Sequence, residues 1–66
     1  MIGIATEKID IGEFASIGMD GKISRVVDNA SGLLVFDAED NIDAGQVCEI
    51  YHDVKTGKTH MRLARL

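Results

Sequence analysis

Residues 8–22 read KIDIGEFASIGMDGK, and an altered copy, NIDAGQVCEIYHDVKTGK, occupies residues 41–58. Ile9, Asp10, Gly12, Ile17 and Asp20 recur as Ile42, Asp43, Gly45, Ile50 and Asp53 at a constant offset of 33. The closing turn of the second copy is longer, so Gly21-Lys22 answers to Gly57-Lys58. Each copy reads as a turn, an alternating strand, a second turn and a return strand. Alternation of apolar and polar residues with period two is the signature of a half-buried strand. A repeat of this length is one supersecondary unit used twice. The expected fold is therefore all-β: a small antiparallel β-barrel or sandwich of about six strands, one domain over residues 1–66, with pseudo-repeats at 8–27 and 41–64.

Outward from that stretch, Ile2–Thr6 reads as a strand with Ile2 and Ile4 on one face. In Glu13–Met19, Ala15, Ile17 and Met19 alternate with Phe14, Ser16 and Gly18. Asp20-Gly21 is a hairpin signal, suited to a two-residue turn with positive φ at both positions. Lys22–Val27 returns, with Ile23 and Val27 expected inward. Leu33–Phe36 is a continuous apolar run, which predicts a strand buried on both faces and lying between the two units. Gln46–His52 places Cys48 and Ile50 on one face, Val47 and Tyr51 on the other. Asp53–Gly57 forms a longer loop with Gly57 at positive φ. Lys58–Leu66 suits a strand or a short helix; the hairpin before it and Thr59 favour the strand, with Met61 and Leu63 inward.

Composition narrows the chemistry. The chain has 66 residues, eleven acidic and seven basic, for a net charge of −4. That balance disfavours nucleic acid, which needs a basic face to displace counterions, and anionic membranes. The absence of disulfides and of a secretory signal fits a protein made in the cytoplasm, so the Asn29-Ala30-Ser31 sequon is read as chance. Cys48, the one cysteine, sits in an alternating apolar run and reads as a small buried hydrophobe. A catalytic nucleophile needs an oriented base beside it, and the only histidines, His52 and His60, flank one hairpin loop. They could face each other there, but two ligands fall short of the four a structural zinc site uses. Residues 37–43, DAEDNID, are the most acidic segment. Lacking calcium-loop spacing, they read as a solvated turn built on Asp and Asn backbone bonding. No enzyme, metal or cofactor is expected.

A resemblance goes further. Gly3-Ile4-Ala5, Ile9, Gly12-Glu13, Ile17 and Gly21-Lys22-Ile23 resemble the pattern of small β-domains in tailed-bacteriophage capsid decoration (cement) and head-fibre proteins. Leu33-Leu34, Ala44-Gly45, Val47–Asp53 and Thr56-Gly57-Lys58-Thr59 extend the similarity over nearly the whole chain. The acidic segment departs from the family's usual connector, and without an attached fibre region decoration is the better fit. The resemblance implies a virion structural protein that binds the outer capsid surface, with the major capsid protein as partner. It also implies a homo-oligomer, with a trimer favoured and a dimer possible. Apolar residues in excess of one small core are then the expected contacts: Phe14, Phe36, Val47, Tyr51 and Leu66. The second copy, with Tyr51 and both histidines, is the expected contact half. The alternative from another class is a small acidic regulator or inhibitor that binds one host or viral protein.

Overall fold

A computed structural model describes residues 1–27 and 34–65. Among the described residues there are six strands: β1 (Ile2–Ala5), β2 (Phe14–Ile17), β3 (Lys22–Arg25), β4 (Phe36–Ala38), β5 (Val47–Asp53) and β6 (Lys58–Leu63). They close into a barrel in the order β1-β3-β2-β4-β6-β5, so the all-β expectation holds and, of barrel and sandwich, the barrel is the form adopted, though not a wholly antiparallel one. Four of the six seams are antiparallel; β1 with β3 and β4 with β6 run parallel. A parallel seam needs a long crossover, and the crossover here is β2 in one half and β5 in the other.

The order maps onto itself when β1, β2, β3 are exchanged for β4, β5, β6. The repeat is thus a three-stranded unit, and β4 opens the second copy instead of joining two hairpins. Parallel partners fix the equivalences. Ala5 pairs with Ile23 and Ala38 with Met61, so Ile23 answers to Met61 and Lys22 to His60. By sheet position, then, Lys22 does not answer to Lys58: the β5–β6 ladder runs through six pairs where β2–β3 has three.

The entry turns match closely. In Asp10–Glu13 the Glu13 N–H donates to the Asp10 carbonyl at 3.0 Å, with Gly12 at φ 88°. In Asp43–Gln46 the Gln46 N–H donates to the Asp43 carbonyl at 3.2 Å, with Gly45 at φ 89°. Positive φ at the third residue is the type II geometry that glycine supplies. Each turn is also braced by a side chain: Glu13 Oε1 accepts from Asp10 N–H at 2.8 Å, and Gln46 Oε1 from Asp43 N–H at 2.7 Å. Ile9 and Ile42, just ahead of these turns, bridge each other by reciprocal backbone bonds of 2.9 and 2.8 Å and are fully buried.

Ala5, Ile9, Ala15, Ile23, Phe36, Ala38, Ile42, Cys48, Ile50 and Met61 form the core, with Ile17 and Leu63 packed at its edge. Cys48, Ile50, Met61 and Leu63 lie on the faces the alternation predicts, and residues 58–63 are a strand. Other placements differ. Ile2 and Ile4 are 61% and 50% exposed, while Gly3 and Ala5 turn inward. The reason is crowding: a Cβ on Gly3 would stand 2.7 Å from Ile17 Cδ1 and 2.8 Å from both Ile23 Cδ1 and the Gly21 carbonyl. Leu34 is 64% exposed and strand structure begins only at Phe36, so no doubly buried strand spans the described part of Leu33–Phe36. Val27 lies beyond the end of β3 and is exposed, and Met19 is fully exposed in its turn. That turn has three residues: the Gly21 N–H donates to the Gly18 carbonyl at 3.0 Å, and Gly21 alone has positive φ. A type I turn followed by a left-handed residue is the usual three-residue hairpin; the two-residue form with Asp20 at positive φ does not occur. Gly57, at φ 73°, closes the longer loop as expected. Leu33, Leu66 and the Asn29–Ser31 sequon lie outside the described residues.

Candidate interaction surfaces

In a closed barrel whose strands are all paired, only the outward side chains remain for contacts. The seams β1/β5 and β2/β4 are related by the internal two-fold and lie on opposite sides of the molecule. Across the first, Ile4 pairs with Val47 and Ile2 with Glu49. At the equivalent places on the second, Asp37 pairs with Phe14. The interior positions of the two halves stay apolar, whereas their outer faces have diverged.

The second half's outer face carries an internally bonded polar cluster along β4, β6 and β5. His60 Nδ1 lies 2.5 Å from Asp37 Oδ1, and the His60 and Tyr51 rings are 5.6 Å apart. The Tyr51 hydroxyl donates to Glu39 at 2.5 Å, and this bond holds the phenol above its ordinary pKa. The Arg62 guanidinium stacks 4.5 Å from the centre of the Tyr51 ring and donates to Glu49 at 2.5 Å. That bond to Glu49 raises the Arg62 pKa. The acidic segment is occupied in the same way. Asp40 accepts from Leu63 N–H at 2.9 Å and Asn41 Oδ1 from Ile11 N–H at 3.0 Å. Asp37 and Ala38 belong to β4, so the segment is part strand and part turn. The carboxylates of Asp37, Glu39 and Asp40 thus bond to groups of the same chain.

The two histidines stand on opposite faces of the β5–β6 hairpin, because His52 pairs with Thr59 while His60 pairs with Tyr51. His52 Nδ1 is 3.1 Å from Thr59 Oγ1. Among the described residues, no three His, Cys, Asp or Glu side chains come together as a metal-binding group. Cys48 is buried, and burial pushes its thiol pKa up, with Asp40 adding to the effect.

Of the contact residues expected from sequence, Phe14 is 55% exposed and stands over an open cleft of about 450 Å³ with Val35, Asp37 and His60. Val47 and Tyr51 face outward and are half-buried. Phe36 is 1% exposed and belongs to the core: its side chain fills the inward position that Gly3 holds in the first half. Ile2, Ile4 and Met19 escaped the sequence reading. For the two isoleucines the signal lay in the offset of 33, which matches Ile4 to Asp37 and Ala5 to Ala38. A carboxylate at the outward position of one copy marks the same position as outward in the other. Comparison with protein-family models, with curated proteins and with solved structures finds no match for this chain.

Proposed function

We propose that this protein is a non-enzymatic decoration protein of a tailed-phage head. It would bind the outer surface of the capsid through the major capsid protein and stabilise the particle as a homo-oligomer. One observation carries the reading: on a barrel with no free strand edge among the described residues, large apolar side chains point outward while Asp37 and His60, Glu39 and Tyr51, and Glu49 and Arg62 bond to one another. Ile2, Ile4, Phe14, Met19 and Leu34 are all at least half exposed. Exposed apolar clusters of this kind mark protein contacts, and aromatic residues such as Phe14 and Tyr51 are the side chains that most often anchor them. The resemblance of the turn glycines and the TGKT hairpin to phage decoration domains supplies the identity of the partner.

The test is co-sedimentation. A major capsid protein gene should adjoin the gene for this chain. Particles assembled from that capsid protein should then carry the purified chain down at a fixed ratio and gain resistance to heat. Absence of binding would overturn the proposal, and retention of the chain by one soluble host or viral protein would establish the regulator reading in its place.

A further inference from the structure

We infer that the outer face of the β1/β5 seam is where a second copy of this chain docks, about a two-fold axis lying in that face over Gly3. The inference rests on the homo-oligomer of the proposed function and names the surface that builds it.

Ile2, Ile4 and Val47 form a continuous aliphatic strip along the seam. Met1, Ile17 and Met19 line a depression of about 400 Å³ at its end. The strip carries no hydrogen-bonding side chain and offers a partner only shape and apolar area. Its two flanks carry charged side chains: a lone lysine on one, and on the other a glutamate that Arg62 already holds at 2.5 Å. Lys22 stands beside Ile4 on one side, and Glu49 beside Ile2 on the other. The two charges are therefore diagonal to each other across Gly3. A two-fold axis in the face, perpendicular to that diagonal, sets Lys22 of one copy over Glu49 of its partner, and does so twice. Self-complementarity of this sort is what an isologous interface requires. Lys22 makes no ion pair among the described residues, whereas Glu49 is paired with Arg62, so Lys22 of the second copy would join that pair as a further cation on the Glu49 carboxylate.

Size supports the same occupant. A standard interface buries roughly 800 Å² per partner, less than a fifth of this chain's 4469 Å². One side of a six-stranded barrel supplies that. Small domains without disulfides also gain stability by association, and burial of Ile2 and Ile4 would add to a core of ten buried residues among those described. The opposite seam does not suit a second copy in the same way. There Asp37 and His60 replace Ile4 and Lys22, so the face presents a polar pair where the first presents the strip.

Light scattering on the eluting protein tests this directly. The wild-type chain should run at twice its 7.2 kDa, and Ile4→Lys should run at the monomer mass while keeping a β-sheet circular dichroism spectrum. Lys22→Glu, a change at an exposed position, should weaken dimerisation about tenfold or more at low salt by setting like charges opposite each other. Ile4→Cys should link two copies under mild oxidation, whereas Val54→Cys, far along the β5–β6 hairpin, should not. A monomeric or trimeric wild type would overturn the inference, as would a dimer that Ile4→Lys and Lys22→Glu leave intact. The two proposals fail separately. A dimer that ignores capsids removes the decoration role and keeps this face; a monomer that binds capsids does the reverse.

Discussion

At the scale of single residues, Glu13 and Gln46 do one job with different chemistry. Both accept the backbone N–H at the start of a type II turn, but only Glu13 also takes an ion pair, from Arg25 at 3.1 Å. The Asp10 N–H, and after it Arg25, hold the Glu13 carboxyl below its ordinary pKa of 4.5. A carboxylate whose folded pKa lies below its unfolded value contributes stability that is complete above the unfolded value. The contribution disappears as pH falls through the folded one. Thermal melts should therefore show the wild type losing stability as pH drops from about 5 toward 3. Glu13→Gln keeps the turn acceptor, as Gln46 does, so its melting temperature should fall less over that interval. An identical acid slope in both proteins would assign the loss to other carboxylates.

At the scale of elements, turns and strands place different demands on glycine. Gly12 and Gly45 have positive φ and open space where a Cβ would go. Alanine there meets no neighbour and is opposed only by the left-handed backbone, at about 1–2 kcal/mol. Gly3 has the reverse problem, ordinary backbone with no room, and overpacking costs about 1–3 kcal/mol. In a domain of this size each kcal/mol moves the melting temperature by about 4–8 °C. Gly12→Ala and Gly45→Ala should give matching losses, and asparagine at the same sites should recover part of them, since Asn tolerates positive φ. Asparagine at Gly3 should be worse than alanine. Chemical denaturation of the six variants decides the matter. Turn chemistry of this kind was legible in the chain, because Asp-x-Gly with an acceptor one residue later is a local signal. The face of β1 was not. Gly3 has no side chain because Ile17 and Ile23 reach toward it from other strands, and Ile2 and Ile4 then fall on the outside.

At the scale of the whole molecule, the two halves are joined along the β1/β5 and β2/β4 seams and by the Ile9–Ile42 bridge between their entry turns. Ile9→Val and Ile42→Val should each cost about 0.5–1.5 kcal/mol. Because the two residues pair directly, the double variant should depart from the sum of the singles, as residues in contact do. Strict additivity in denaturant melts would show the bridge to be two independent burials.

Local patterning determined the repeat, most of the strands, the entry turns and the placement of Cys48, Ile50 and Met61 in the core. Those features follow from the side-chain period of a strand and from the φ preference of glycine, which neighbouring residues express without help from the rest of the fold. Barrel closure, the parallel seams, the burial of Phe36 and the outward turn of Ile2 and Ile4 were decided only in the tertiary structure. Each depends on which strand arrives at a given flank and how closely it packs. That is a long-range relation: alternation within one short strand specifies two faces and leaves open which of them meets the core.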